Sequence, residues 1–318
     1  MQEKASFMRF LNMTVIVSSL GYFVDIYDLI LFSIVRIPSL QAIGVTGEEL
    51  MSKGTLLLNM QMAGMLVGGI LWGVLGDRKG RVSVLYGSIL LYSLANLANA
   101  FVTTFPMYAG LRFLAGLGLA GELGAAVTLV SESLAAEDRG YGVALVASVG
   151  ILGAIFAAFI SDTFSWQTAY IVGGVMGLTL LAFRFKMQDS RLFSAVHKEE
   201  SIVKGNFFML LSGDRLKRYL SCIFVGSPNW FTIGVLVAFA PEITSHLSCT
   251  GTVLASKAIA CLYLGLSLGD LLSGFLSQWM KSRKKVILLF LSLNIPVIFV
   301  YLTTTHASPD FYYVLFFI

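Results

Sequence analysis

GDRKGR, Gly76 to Arg81, puts four charges into six residues of a chain that is 57% hydrophobic. LLLNMQMAGMLVGGILWGVL (56–75) runs directly into it, and VLYGSILLYSLANLANAFV (84–102) follows almost at once. Only 13% of the 318 residues are charged, and the mean hydropathy is +0.81. A soluble domain carries about 25% charged residues. This chain is too poor in polar residues to clothe a core of its size in water, so lipid must solvate most of it.

A window of about 19 residues places the crossings. They read as 11–33, 55–76, 83–102, 106–131, 141–161, 167–186, 217–241, 252–278 and 285–304, and FYYVLFFI at the end opens a tenth. Each full run can cross a core of about 30 Å at about 1.5 Å per residue. The runs do not alternate, which excludes a β-barrel. The 31 glycines imply close helix packing in lipid. The N-terminus has no cleavage-site pattern, and the first run is too long for a signal peptide.

Lys and Arg give the orientation. Of the 22, Arg112 lies inside a run and Arg36, Lys53 and Lys257 lie on the opposite side, and the other 18 fall in one set of loops. That set includes Arg78, Lys79 and Arg81, and also Arg139 and Arg184. The bias predicts a cell (inner) membrane protein with a cytoplasmic N-terminus. The net charge of +4 is then a topology signal, and no basic–aromatic interleaving points to nucleic acid. Cys222, Cys249 and Cys261 form neither a CxxC nor a disulfide framework. No P-loop, GxSxG or HExxH is present, so neither an enzyme nor a metal or other cofactor site is expected. Without a nucleotide site, any transport must draw on a gradient.

The expected organisation is a six-helix N-terminal bundle at 1–186, a cytoplasmic central loop at 187–216, and a C-terminal bundle at 217–318. The second bundle holds helices seven to nine and the start of a tenth. Gly274-Phe-Leu276-Ser-Gln278 repeats the pattern of Gly73-Val-Leu75-Gly-Asp77 at the end of the second run of each half. Gln278 stands where the first half has Asp77.

Gly73-Val-Leu75-Gly-Asp77-Arg78-Lys79-Gly80-Arg81, continued to Leu85, resembles the signature between the second and third helices of the major facilitator superfamily. Arg112 followed by Gly116 and Gly118 resembles that family's fourth-helix motif. Glu132 followed by Arg139-Gly140, and Asp189-Ser190 with Phe193, resemble two further segments. Asp25-Ile-Tyr27-Asp28 and Gly121-Glu122-Leu-Gly124 are similar to patterns of its sugar-porter and metabolite:proton-symporter branches. The resemblance covers essentially the whole chain and implies an all-α polytopic membrane protein with a twelve-helix architecture. Against twelve helices the second bundle is incomplete, and a run ending without a polar flank is the pattern expected of C-terminal truncation.

What the resemblance implies is a secondary active transporter. It would move a small polar metabolite, a sugar or an organic acid, by alternating access as a proton symporter and a monomer. The other reading is a truncated, non-transporting remnant or a regulatory or sensor membrane protein. Gly73, Asp77, Arg78, Gly80, Arg81, Glu132 and Arg139 are expected to form a conformational clamp on the cytoplasmic side. Arg78 and Arg81 would reach Glu132 or other helix-end carboxylates.

Ionisable groups inside a crossing are costly and are functional candidates by default. Here they are Asp25, Asp28, Arg112, Glu122 and Asp270. Counting from Met13, Asp28 lies about 22 Å above the cytoplasmic entry. Arg112, about 9 Å below the outer entry near Pro106, lies roughly 21 Å up in a 30 Å core. The shared level makes an Asp28–Arg112 ion pair feasible, and the family's sugar porters imply a proton-coupling role for it. Asp25 either shares the proton or faces the cavity. Glu122, about 24 Å from the outer entry, either meets substrate or packs near the cytoplasmic end. Asp270 is a cavity residue or a partner of Lys257. Asn229 and Trp230, after a break at Pro228, are candidate substrate walls, as are Gln61 and, more weakly, Asn59.

Overall fold

A computed structural model describes residues 13–135, 139–184 and 205–318. No strand occurs among the described residues, and nine stretches there are long and apolar enough to cross a membrane. The chain divides into two compact units, 1–209 and 210–318.

The first unit contains α1 (Met13–Ala42), α2 (Glu49–Lys79), α3 (Arg81–Asn99), α4 (Phe105–Leu119), α5 (Glu122–Ser133), α6 (Arg139–Thr163) and α7 (Trp166–Arg184). Its centre is α1, which packs most extensively on α6 and also on α7 and α5. Its core joins Tyr27, Leu31, Phe32 and Val35 of α1 to Leu57 of α2, Tyr108 of α4, Ala157 of α6 and Tyr170 of α7. Large apolar side chains such as Leu66, Phe101 and Phe159 stay outward, as lipid solvent demands.

Hydropathy ends the first crossing at residue 33, but α1 continues to Ala42 through Arg36 and Pro38. The Arg36 side chain is buried and lies against Gly54 of α2, where a Cβ would stand 2.8 Å from Arg36 Cδ. A polar residue sheltered by a neighbouring helix can stay in a crossing that a hydropathy sum would close.

The glycines allow helices to touch backbone to backbone. A Cβ on Gly116 would stand 2.0 Å from the Gln61 carbonyl oxygen, and one on Gly64 would stand 2.1 Å from that of Phe113. This seam locks α2 to α4. Gly116→Ala is expected to cost about 1–3 kcal/mol through overpacking, read as a lower thermal midpoint of the purified protein. An unchanged midpoint would show that the seam yields freely.

The fourth crossing is one run in the sequence but two helices in the structure. At Ala120-Gly121 the backbone leaves the regular helix, and the Gly121 N–H turns back to the Gly118 carbonyl at 3.1 Å. The Leu117 carbonyl, which a continuous helix would use at Gly121, instead accepts the Trp72 indole N–H at 2.6 Å. Glu122 therefore opens α5. Between α2 and α3 the chain turns at Gly80, whose φ of 97° is a region that side-chain-bearing residues avoid.

The second unit contains α8 (Gly213–Phe231), a π-helical stretch (Thr232–Val237), α9 (Ala240–His246), α10 (Ala255–Trp279), α11 (Arg283–Thr303) and α12 (Pro309–Phe317). Ser282 and Ser308 cap α11 and α12 by accepting from the N–H groups of Lys285 and Phe311, each at 3.4 Å. α10 packs on α12, where a Cβ on Gly265 would stand 1.9 Å from the Phe317 carbonyl oxygen. Tyr301 donates to the Leu236 carbonyl at 3.1 Å, which uses one of the carbonyls in the π-helical stretch. Pro228 does not break the helix as expected. α8 runs through it to Phe231, and the departure from α geometry begins at Thr232.

Candidate functional site: buried charges of the first bundle

Asp25 and Asp28 lie one turn apart on α1, and both are buried. Asp28 rests on α7 at Gly173, where a Cβ would stand 2.3 Å from Asp28 Oδ1. The Asn96 side chain of α3 and the Arg112 guanidinium of α4 stand beside it. Neither Asp28 oxygen has a hydrogen-bond partner. Depth reasoning therefore brought Asp28 and Arg112 into one neighbourhood, but the two do not touch as an ion pair.

Arg112 is fully buried and is held from three sides. Its Nη2 donates to Gln61 Oε1 at 2.6 Å, and Nη1 reaches the Tyr170 hydroxyl at 3.5 Å. The guanidinium carbon sits 5.0 Å from the centre of the Phe32 ring and 5.7 Å from that of Tyr170. Both are cation–π distances. The Tyr170 hydroxyl shares a 2.7 Å hydrogen bond with Tyr108, which donates to Ser39 at 3.0 Å. Gln61, expected only as a cavity wall, is wholly buried and belongs to this network.

Glu122 does not stand in a cavity. Its two carboxylate oxygens take both terminal nitrogens of Arg184, one at 2.9 Å and the other in a shorter contact. Both residues are buried. Arg184 was expected among the cytoplasmic-loop cations, and this is a correction. The rise alone held the signal, since about 24 Å to Glu122 and about 27 Å to Arg184 from their outer entries are the same level. Gly21 of α1 makes room for the pair, because a Cβ there would meet both side chains. The Glu122–Arg184 pair joins α5 to α7, and Asp25 of α1 faces it within electrostatic range without a direct ion pair.

The other expected residues are placed as follows. Asp77, near the end of α2, accepts from Arg81 Nη1 at the start of α3 at 2.8 Å across the Gly80 turn, and both side chains reach solvent. Arg78 lies against Gly205, and Gly73 is exposed with open space around it. Glu132 lies in the last turn of α5. The Arg139 side chain and all of Asp189, Ser190 and Phe193 lie outside the described residues. In the second unit, Asn229, Trp230 and Asp270 are exposed on α8 and α10. Asp270 and Lys257 share α10 about 20 Å apart along its axis, too far to be partners. Asn59 is exposed on α2. No cluster of metal-ligating side chains occurs among the described residues.

The sequence profile of the Major Facilitator Superfamily matches residues 5–318. A relative in Bacillus subtilis, provisionally named a niacin/nicotinamide transporter, is 32% identical over 221 residues, which is 68% of this chain and 53% of the relative. The 3-(3-hydroxy-phenyl)propionate transporter of Escherichia coli is 35% identical over 135 residues, 41% of this chain and 34% of that protein. The chain thus spans about half or less of these relatives' lengths. A crystal structure of a D-xylose-proton symporter superposes with a TM-score of 0.62 at 17% identity, over 83% of this chain and 68% of that one. At that identity the likeness speaks for the fold alone.

Proposed function

The chain belongs to the major facilitator superfamily, and from that premise we propose that it serves a proton-coupled carrier of small organic acids. One observation carries this reading. A buried, aromatic-flanked guanidinium, Arg112, stands beside a buried carboxylate, Asp28, whose oxygens have no hydrogen-bond partner. A buried polar group left open is a functional candidate. The guanidinium fork suits a carboxylate, and the rings of Phe32 and Tyr170 suit an aromatic body. The relatives' names support the same choice, since niacin and 3-(3-hydroxy-phenyl)propionate both join a ring to a carboxylate.

The mechanism follows from differential contact. Protonation of Asp28 removes a charge that competes for Arg112, and the substrate carboxylate then takes that place. A ligand shifts a two-state equilibrium only by such a difference. The two states are an outward- and an inward-facing arrangement of two bundles, 1–186 and 217–318, in the inner membrane with the N-terminus cytoplasmic. The carrier works as a monomer.

The test is uptake of radiolabelled niacin and of 3-(3-hydroxyphenyl)propionate into proteoliposomes under an imposed proton gradient. Accumulation that a protonophore abolishes is the expected result. Uptake indifferent to the gradient would remove the proton from the mechanism, and uptake of sugars alone would remove the acid.

Asp77→Asn is expected to slow turnover several-fold while leaving substrate affinity unchanged. The motivation is the Asp77–Arg81 contact at the Gly80 turn, which ties the end of α2 to the start of α3. Exchange rates measured beside equilibrium binding check it, and a mutant with normal turnover would remove the clamp role.

A further inference from the structure

An arginine beside an open carboxylate should fall onto it, because a charge-assisted contact is about twice as strong as a neutral one. Arg112 does not, and the structure shows what occupies it. The Gln61 amide oxygen accepts from Nη2, Tyr170 stands at Nη1, and Phe32 covers one face. Gln61 is itself fixed at both ends. Its Nε2 donates to the carbonyl of Leu29, the residue after Asp28, at 3.5 Å. Its own carbonyl is pressed on Gly116 of α4, one turn from Arg112.

The surrounding groups offer no second anchor of negative charge. Arg112 also faces Tyr108. Asp28 faces Asn96 and Tyr92 of α3, Tyr27 and Asp25 of its own helix and Tyr170 of α7. Asp25, the nearest other carboxylate on α1, faces the Glu122–Arg184 pair.

We propose that Gln61, seconded by Tyr170, is the resting seat of the Arg112 guanidinium, holding it off Asp28 and so leaving that carboxylate open to a proton. This rests on the coupling role given above to Asp28 and Arg112. Gln61 is thus a positioning residue that acts through Arg112.

A double-mutant cycle on the thermal midpoint of the purified full-length protein tests it, with Gln61→Met, Asp28→Asn and the double variant. Methionine keeps the volume of glutamine and removes its polar atoms. With Asp28 present, the released guanidinium has a carboxylate to fall on, and the midpoint drops little. In the Asp28→Asn background it has none, and the drop is expected to be at least about twice as large. Equal drops in the two backgrounds would overturn the proposal, since simple packing by Gln61 is indifferent to Asp28. Tyr170→Phe, which keeps the ring, repeats the cycle with the same sign and a smaller size, and decides the matter if Gln61→Met does not fold. Proton-independent uptake would overturn the symport reading and leave the cycle standing. An additive cycle beside proton-driven uptake would overturn this inference alone.

Discussion

Arg184→Ala is expected to destabilise the first bundle by about 3–5 kcal/mol, and Glu122→Ala by less, although each removes half of one ion pair. Breaking a buried pair leaves an uncompensated charge, which costs about that much. The asymmetry comes from the third member. Without Glu122, the Arg184 guanidinium still has Asp25 before it; without Arg184, the Glu122 and Asp25 carboxylates face each other with no cation between them. Denaturant or thermal unfolding of the purified protein reads the difference. The double variant Glu122→Met with Arg184→Met is expected to recover most of the loss, because two buried charges have been exchanged for apolar volume. Equal losses for the two single variants would show that Asp25 takes no part in the cluster.

That cluster also marks where the sequence stopped being informative. The crossings themselves were legible, because a run of some twenty apolar residues has few other solutions. Orientation-counting placed Arg184 in a loop because it treats any cation at the end of a run as interfacial. Only its level beside Glu122, reached by counting rise down two different helices, could have paired the two. The same counting set Asp28 and Arg112 at one level and made a pair feasible, but rise says nothing about which face of α4 carries the guanidinium or that Gln61 of α2 stands there. Gln61 drew attention only as a polar residue in an apolar run, and its partner was invisible until the Gly116 seam fixed α2 against α4. The interruption at Ala120-Gly121 was equally hidden. Its cause is tertiary, in the Trp72 indole that takes the Leu117 carbonyl, and local propensity does not record that contact.

Asp28→Asn is expected to abolish proton-driven accumulation while leaving exchange of substrate across the membrane within a few-fold of the unaltered protein. The substitution is nearly isosteric, so the contact with Gly173 of α7 survives. It also leaves Arg112 its neutral partners, Gln61 and Tyr170, and therefore its place. What it removes is the group proposed to be charged in one half of the cycle and neutral in the other. A carrier lacking that group still alternates, but a proton gradient no longer biases the alternation. In proteoliposomes the internal-to-external substrate ratio should fall to about one under a gradient, while counterflow persists. Arg112→Ala should behave differently and lose both, because it removes the cation that meets the substrate carboxylate in the proposed site. Undiminished accumulation by Asp28→Asn would move the proton elsewhere in the bundle, and Asp25 beside Glu122 and Arg184 would then be the carboxylate to test. Loss of counterflow in the same variant would instead mean that Asp28 holds substrate directly. Counterflow and accumulation measured on one preparation therefore distinguish a coupling carboxylate from a binding one, a distinction that the shared depth of Asp28 and Arg112 does not make.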